Sequence, residues 1–297
     1  MTRRFAIGIS AAVLTVGLLA GCTSTGSQTE PDTNRSTSTP VAAVAQVSSV
    51  SPTAGGLVGG ETATITGTDL TGVTKVTFNG TVAQNLTVVS ATKITVVVPQ
   101  AVNYQPSSGA IAVYKGTAPV TTTSSPTFTW SVKTPVDKEM EYAFSHWSAA
   151  TYNTAYENFN SVGGDCQNFV SQSLEAAGLP QTSSWFYTSA GSHSETWGYA
   201  PSFNSLLEST PPLGFTKLTD AQRSQLQVGD LAYFDWNNNG VPDHTMIVSG
   251  VTTVDGKTKV TLVGHNLDFD YRDLDTTITH DHPGATVWFW KLPASLR

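Results

Sequence analysis

Cys166 is the residue whose sequence setting most clearly predicts covalent chemistry. It follows Asp165, a residue type typical of helix N-caps, and an apolar helical pattern runs from it to Gly178, a typical C-terminal stop. The positive end of a helix lowers the pKa of a thiol, and the free N–H groups at that end stabilise an oxyanion. We therefore interpret Cys166 as an activated nucleophile, with a buried structural cysteine as the alternative.

A cysteine nucleophile needs a base, which is usually a histidine. His244 opens an apolar strand pattern and is predicted to be this base. A histidine at a strand end without a catalytic role is the alternative. Gln167, directly after Cys166, either contributes to the oxyanion site or is a solvated helix residue.

The third catalytic residue is predicted from strand register. If residues 255–256, an Asp-Gly pair, form a two-residue turn, the pairing places His265 on the same sheet face as His244 and Asn266 on the other face. The register therefore favours His265. A longer turn or a bulge would reverse the assignment and make Asn266 the third member.

Two clusters of polar residues are candidates for metal binding. The first resembles part of a calcium loop, but Met246 stands where the last acidic ligand belongs, and a polar Asn-Gly turn explains the same residues: Asp235, Asn237, Asn239 and Asp243. The second, around His265, His280 and His282, has no standard zinc spacing. We therefore predict no cofactor and no metal.

Aromatic residues are the predicted lining of a substrate groove. Trp185 and Trp197 lie in the Trp- and Ser-rich region after the Cys166 helix. Large aromatic side chains at these positions suit a peptide or glycan-peptide ligand, and burial in the core is the alternative.

The N-terminus predicts export. A basic pair, Arg3 and Arg4, precedes an apolar run that ends in Leu19-Ala20-Gly21-Cys22. Small residues directly before a cysteine resemble the lipobox of bacterial lipoproteins. The resemblance implies cleavage before Cys22, lipidation of its thiol, and anchoring by lipid alone at the outer face of the bacterial cell membrane. An ordinary secretory signal peptide is the alternative.

Composition divides the chain and excludes one class of partner. The 297 residues carry a net charge of −7 with only 12% charged residues, which argues against nucleic-acid binding. We predict a lipoprotein signal peptide at 1–21, a disordered Ser/Thr-rich tether at 22–46, an all-β domain at 47–132 and a hydrolase domain at 134–297.

The predicted all-β domain has short alternating strands and turn signals, including Asn79-Gly80. Its motifs are Val50-Ser51-Pro52-Thr53-Ala54-Gly55-Gly56, Ile65-Thr66-Gly67-Thr68-Asp69-Leu70, Val76-Thr77-Phe78-Asn79-Gly80 and Phe128-Thr129-Trp130. They resemble the IPT/TIG domain. That resemblance implies an immunoglobulin-like β-sandwich that serves as a spacer or binding module.

Motifs of a second family follow in order. They are Asn153-x-x-Tyr156-x-x-Phe159, Gly164-Asp165-Cys166-x-Asn168-Phe169-Val170-Ser171-Gln172, Ser194-Glu195-Thr196-Trp197, Val228-Gly229-Asp230-Leu231 and Asp243-His244-Thr245-Met246-Ile247-Val248. This series resembles the Putative amidase domain family, which is related in plan to the NlpC-type and CHAP amidases. The resemblance implies a papain-like α+β fold with Cys166 as nucleophile and His244 as base.

Together these features predict an envelope cysteine amidase or peptidase. It would hydrolyse amide bonds of peptidoglycan peptides through a Cys-His-His thioester mechanism. The substrate class rests on envelope location and on the family resemblance. The alternative is a surface binding or adhesion lipoprotein whose amidase-like domain is an inactive scaffold.

Overall fold

The computed structural model describes residues 44–209, 213–266 and 268–297. The predicted signal peptide, Cys22 and nearly all of the predicted tether lie outside these residues. None of the helices in the described ranges is long and apolar enough to cross a membrane.

The N-terminal part of the described chain is rich in β-structure. Alternation of buried and exposed residues, as at Ala63 and Ile65 in one strand, builds its sheets around a core that includes Phe78, Phe128 and Trp130. The strands are β1 (Gln46–Ser51), β2 (Ala54–Gly55), β3 (Thr62–Thr68), β4 (Lys75–Phe78), β5 (Thr81–Val82), β6 (Gln84–Ser90), β7 (Lys93–Val97), β8 (Ser107–Lys115), β9 (Ala118–Pro119), β10 (Thr121–Thr122) and β11 (Thr127–Trp130).

These strands form two sheets. One has the order β10-β1-β3-β7-β6, and the other has the order β2-β11-β8-β4-β5 with β9 paired to β8. The turn predicted at Asn79-Gly80 is confirmed: it joins β4 to β5, and both residues have positive φ (48° and 84°). Such values favour Asn and Gly, which explains the residue choice.

The C-terminal part mixes helices and strands. Its helices are α1 (Pro135–His146), α2 (Cys166–Ala177), α3 (Glu195–Gly198), α4 (Ala200–Ser209) and α5 (Leu274–Thr276). Its strands are β12 (Tyr187–Ser189), β13 (Ser192–His193), β14 (Thr216–Thr219), β15 (Leu231–Asp235), β16 (His244–Val254), β17 (Lys257–Gly264), β18 (Phe269–Asp273) and β19 (Thr286–Lys291).

Helix α1 begins as its sequence predicts. Thr134 is the N-cap, Pro135 occupies the first turn, and Asp137 completes a capping box with Thr134. Glu139 lies further along the same helix. Its side chain is fully buried, and neither carboxyl oxygen has a hydrogen-bond partner among the described residues.

One antiparallel sheet of order β14-β19-β15-β16-β17-β18 organises this part of the molecule. The face that packs against α1 and α2 carries Leu231, Tyr233, Ile247, Val263 and Trp290. The other face carries a separate apolar cluster that includes Ala232, Phe234, Met246, Val248, Leu262 and Phe289. The two faces of the sheet therefore carry separate apolar clusters.

The β-rich part and the mixed part belong to one compact unit. Tyr104, which is fully buried, donates a hydrogen bond of 2.5 Å to the carbonyl of Ser249 in β16. The amide of Val58 donates to the Asp137 carboxylate of α1 at 2.9 Å. Both contacts join one domain to the elements that frame the cysteine.

Candidate active site

Cys166 is the first residue of α2, as predicted, and Gly178 ends the helix in a left-handed conformation. Asp165 occupies the N-cap position, but its side chain makes no capping hydrogen bond. Its Oδ1 atom instead accepts from the Phe159 amide and the Asn168 side chain, both at 2.8 Å. The predicted capping role of the carboxylate is therefore wrong, although the helix start is right.

Cys166 is buried, with 8% of the residue exposed, and it lines an open cleft of about 530 Å³. Burial raises its pKa to about 11, and the charge of Asp165 adds to this. Hydrogen bonds from the backbone amides of Thr245, Gln167 and Cys166 itself lower the pKa but do not compensate for burial. The expected lowering of the thiol pKa by the helix terminus is thus outweighed by desolvation.

His244 is the first residue of β16, as predicted, and it is buried. Strand alternation puts it on the side of Met246 and Val248, and its ring lies 5.7 Å from the ring of Trp236. Burial lowers the pKa of His244 to about 3, with further lowering by the neighbouring Arg272 and His282 side chains. The imidazole is therefore neutral at neutral pH.

Cys166 contacts the backbone at the start of β16, where His244 lies. The amide of Thr245, the residue directly after His244, hydrogen-bonds the Cys166 sulfur. No hydrogen bond joins the sulfur to the His244 ring within the part of the chain that the structure describes. Strand alternation directs the His244 side chain to the sheet face opposite α2.

A bulge at Ser249 changes the predicted register. The two-residue turn exists, and Val254 pairs with Lys257 as predicted, but between Gly250 and Val248 the register shifts by one residue. Beyond the bulge Val248 faces Leu262 rather than Val263. The prediction that His244 and His265 share a sheet face is therefore wrong.

His265 is committed to other partners. Its Nδ1 atom lies 2.6 Å from Asp165 Oδ2, and its Nε2 atom lies 2.8 Å from the His146 carbonyl oxygen. The ring is sandwiched between Tyr152 and Phe169, with centroid distances of 3.7 and 4.2 Å. Both ring nitrogens are occupied, so His265 does not hold the His244 ring through a hydrogen bond.

Asn266 also points toward the start of α2 rather than toward His244. Its Oδ1 atom accepts a hydrogen bond from the Asp165 amide. A Cβ atom on Gly164 would lie 3.1 Å from the Asn266 side chain, and Gly164 has a φ of 122°, so glycine suits this position on both counts. The two alternative third members therefore both hold the residue before Cys166.

Trp185 and Trp197 do not line the cleft. Both are buried and stack on each other at 5.0 Å. The indole of Trp197 donates to Asn168 at 2.8 Å and that of Trp185 to Ser171 at 3.1 Å. The groove prediction is therefore wrong, and the alternative of core residues is correct.

Gln167 is also a core residue rather than a solvated one. It is fully buried, accepts from the Tyr233 hydroxyl at 2.8 Å and donates to Ser171 at 3.1 Å. Its side chain is therefore engaged away from any oxyanion. Its backbone amide is the part that contacts the sulfur.

The cleft around Cys166 has a lining that the sequence motifs did not single out as a site. Its chemically distinctive members are Glu157, His193, Glu195, Tyr199 and Asp243. They come from separate stretches of the chain, so no local spacing marks them. Sequence signals were present only for Asp243, as a calcium-like residue beside His244, and for Glu195, in the motif Ser194-Glu195-Thr196-Trp197.

The carboxylates of the calcium-like segment accept hydrogen bonds from backbone amides of the same segment. The Asp235 carboxylate accepts from the amides of Gly240, Asn237 and Asn239 at 2.7, 3.2 and 3.2 Å. Asp243 accepts from the Trp236 amide at 2.8 Å. In the described ranges, no group of three or more acidic, His or Cys side chains is placed to hold a metal ion.

Two known domain families match this chain. The family described as Putative amidase domain matches residues 135–290, which is 156 of the 297 residues. The chain belongs to this family. The IPT/TIG domain matches residues 45–130. The chain therefore carries a putative-amidase-family domain preceded by an IPT/TIG domain, as its motifs predicted.

Individual relatives cover less of the chain. Uncharacterized protein YhbB of Bacillus subtilis (strain 168) is 31% identical over 114 residues, covering 37% of this chain and 35% of that protein. This chain thus spans about a third of the length of that curated relative.

The similar solved structures are distant. One, titled as a putative phosphatase from Bacteroides thetaiotaomicron VPI-5482, has a TM-score of 0.23 and 22% identity, covering 30% of this chain and 18% of that one. Another is SGBP-B of a Bacteroides ovatus mixed-linkage glucan utilization locus, bound to a heptasaccharide. It has a TM-score of 0.25 and 10% identity over 84% of this chain and 50% of that one. Neither likeness is close enough to inform function.

Proposed function

We propose that this chain is a cysteine-dependent amidase or peptidase with a papain-like catalytic domain. The observation that carries the proposal is the placement of Cys166: a free thiol at the first position of α2, lining a cleft and touched by three backbone amides. Membership of an amidase family supports hydrolysis of an amide as the reaction. A structural cysteine would need neither the cleft nor the amides.

The reaction begins with attack of the Cys166 sulfur on the carbonyl carbon of an amide. Because the resting thiol and the His244 imidazole are both neutral, the thiol proton passes to His244 as the sulfur–carbon bond forms. His244 then gives this proton to the departing amine, leaving a thioester. Water, deprotonated by His244, hydrolyses the thioester and restores the thiol.

The negative charge that develops on the carbonyl oxygen needs donors fixed in advance. The first intrahelical hydrogen bond of α2 runs from the Phe169 amide to the Asp165 carbonyl at 3.0 Å. The amides of Cys166 and Gln167 precede it and point toward the sulfur. They are therefore the proposed oxyanion donors.

The base must move during this reaction. In the structure the His244 ring lies against Trp236, and catalytic hydrogen bonds commonly form only once substrate is bound. The proposal therefore requires the His244 side chain to turn toward the sulfur when the cleft is filled. The sulfur already lies beside the strand that carries His244, because it accepts a hydrogen bond from the amide of Thr245, the next residue.

We propose that the substrate is the peptide part of peptidoglycan and that the protein is exported and lipid-anchored through Cys22 at the outer face of the membrane. The support is the basic and apolar N-terminus ending in Leu19-Ala20-Gly21-Cys22, together with the amidase family. Metabolic labelling with a radioactive fatty acid tests the anchor: Cys22→Ala should abolish incorporation.

Digestion of purified cell wall tests the enzymatic proposal. The full chain should release peptide fragments from the wall, and mass spectrometry should show that each cleaved bond has gained one water. Cys166→Ala should release no fragments. His244→Ala should abolish release, whereas His280→Ala, a change at an exposed histidine, should not. Equal release by Cys166→Ala and the parent protein would overturn the cysteine mechanism.

A second candidate function is a surface binding lipoprotein with an inactive amidase-like domain. The observation in its favour is that the raised thiol pKa and the unbonded His244 leave Cys166 unactivated in the resting structure. Retention of the full chain on insoluble cell wall, with no fragment released under any condition and no effect of Cys166→Ala on retention, would favour this function.

A further inference from the structure

We propose that the cleft selects substrates that carry a primary ammonium group next to the amide bond to be cleaved. This inference rests on the proposed amidase function and names its substrate class. The nucleophile and three carboxylates line the same cleft: Cys166 together with Glu157, Glu195 and Asp243. Among the described lining residues there is no lysine or arginine.

The three carboxylates are available to different degrees. Glu157 is partly engaged, because it accepts from the Gly191 amide at 2.9 Å and lies 3.8 Å from His193 Nε2. Asp243 is fixed by the Trp236 amide through one oxygen. The exposed side chain of Glu195 makes no hydrogen bond with any residue in the described ranges. Glu195 therefore has the most capacity for an ammonium ligand.

The remaining lining suits an organic cation. Tyr199 is 52% exposed and presents an aromatic face, which attracts ammonium groups. Val162 and Val241 are also exposed and supply apolar contacts for the carbon chain that bears such a group. Among the described residues, no group of three or more acidic, His or Cys side chains is placed to hold a metal ion.

The same charges disfavour the opposite kind of substrate. A free carboxylate next to the scissile bond would be repelled by the acidic lining, because like charges in a partly desolvated cleft raise the free energy of binding. A peptide N-terminus and an amino-bearing side chain both provide the required ammonium. The geometry points to this shared chemistry, and substrates that differ in a single amine separate the two sources.

Calorimetric binding to the full chain carrying Cys166→Ala tests the inference without turnover. Four peptides of one sequence are compared: free or acetylated at the N-terminus, and with lysine or acetyl-lysine beside the target bond. We expect the peptide with the relevant free amine to bind about fivefold tighter than its acetylated partner for each carboxylate it meets, with a smaller difference at high salt.

Charge-neutral variants then assign the effect to the cleft. Glu195→Gln and Asp243→Asn should reduce the ratio between free and acetylated peptides, each by about fivefold at most. Asp255→Asn makes the same change of net charge at the β16–β17 turn, outside the cleft lining, and should leave the ratio as it is. Which of the two amines matters identifies the source of the ammonium.

Three results would overturn the inference. They are equal affinity for free and acetylated peptides, no binding of any of the four peptides, or an affinity ratio that Glu195→Gln leaves unchanged. Turnover by the parent protein is scored separately. Preferential binding of the amine without any hydrolysis would overturn the proposed amidase function and leave the ammonium preference standing. Hydrolysis without the preference would do the reverse.

Discussion

Nδ1 of His265 lies 2.6 Å from Oδ2 of Asp165, so this buried pair holds the residue immediately before Cys166. Nε2 of the same ring faces the His146 carbonyl oxygen, which only accepts hydrogen bonds. Both ring nitrogens thus contact oxygen atoms of other elements, and His265 anchors the start of α2 through Asp165.

Replacement of His265 by alanine should lower the free energy of unfolding by about 3–5 kcal/mol. The substitution leaves the carboxylate of Asp165 buried without its His265 partner, and removing one side of a buried pair costs this much. Urea unfolding followed by tryptophan fluorescence measures the loss.

Two further variants separate the pair from general damage. His280→Ala removes a histidine that is exposed and should change stability little. Asp165→Asn combined with His265→Ala should cost less than the sum of the single changes, because the two side chains interact directly. Strict additivity would contradict the anchoring role of His265.

Local sequence signals were sufficient to predict the ends of α2 and the turn between β16 and β17. They were not sufficient to predict the third residue of the site. Asp165 and Gly178 mark the ends of α2, and the Asp-Gly pair at 255–256 marks the turn between β16 and β17. The bulge at Ser249 has no such local mark. Its carbonyl is bonded by Tyr104, a residue 145 positions away in another domain. The register near His244 thus depends on a contact that spacing within the hairpin does not encode.

The same reason explains the two tryptophans. Exposure of Trp185 and Trp197 depends on what packs over them, and their indole partners Ser171 and Asn168 lie on α2. Sequence motifs identify α2 but do not show which loop folds back onto it. Cys166 was predicted, but the residues that line the cleft around it were not predicted as one site, because they come from several distant stretches of the chain.

Tyr104→Phe should lower the free energy of unfolding by about 1–3 kcal/mol for the two domains together. The change removes the 2.5 Å hydrogen bond from the Tyr104 hydroxyl to the Ser249 carbonyl at the bulge and leaves that buried acceptor without this donor. Thermal unfolding by calorimetry should show a lower midpoint for the entire transition, because the contact crosses the domain interface.

Tyr114→Phe is the matched control for this change. Tyr114 belongs to the same domain, and its hydroxyl makes no hydrogen bond to any residue in the described part of the chain. Its loss should therefore have little effect. If Tyr104→Phe shifted only a separate transition of the β-domain, the interface would not couple the two parts.

Alkylation of Cys166 by iodoacetamide should accelerate about tenfold for each pH unit above about pH 7, because only the thiolate reacts and its pKa is raised to about 11. A thiolate–imidazolium pair would instead react at a constant rate across this range. Stopped reactions analysed by intact mass give the rate. Because burial raises the pKa of the thiol, the alkylation rate at neutral pH should stay low until a ligand or denaturant changes the surroundings of Cys166.

His244→Ala distinguishes the two resting states directly. The His244 pKa, lowered to about 3, leaves its ring uncharged above about pH 5, so its removal should hardly change the alkylation profile in the absence of substrate. A large loss of reactivity in this variant would show that the imidazole already activates the thiol at rest. Cys166→Ser confirms that the modified residue is Cys166.

Glu139→Gln should become more stabilising, relative to the parent protein, as the pH rises. Burial raises the pKa of Glu139 well above its ordinary value, and nearby Asp230 raises it further while Arg297 opposes this. The folded protein therefore holds a proton that the unfolded chain releases above the ordinary carboxyl pKa. Stability from this proton is complete below that value and is lost as the pH rises toward the raised pKa.

The expected slope is about 1.4 kcal/mol per pH unit within that window, measured as the difference between the two proteins in urea unfolding. Glutamine stays neutral, so the variant lacks this dependence. Glu141→Gln, on the same helix and partly exposed, is the control and should show no comparable trend. Parallel pH profiles for the parent protein and Glu139→Gln would mean that Glu139 is ionised in the fold and has found a compensating charge, for which Arg297 is the nearby cation.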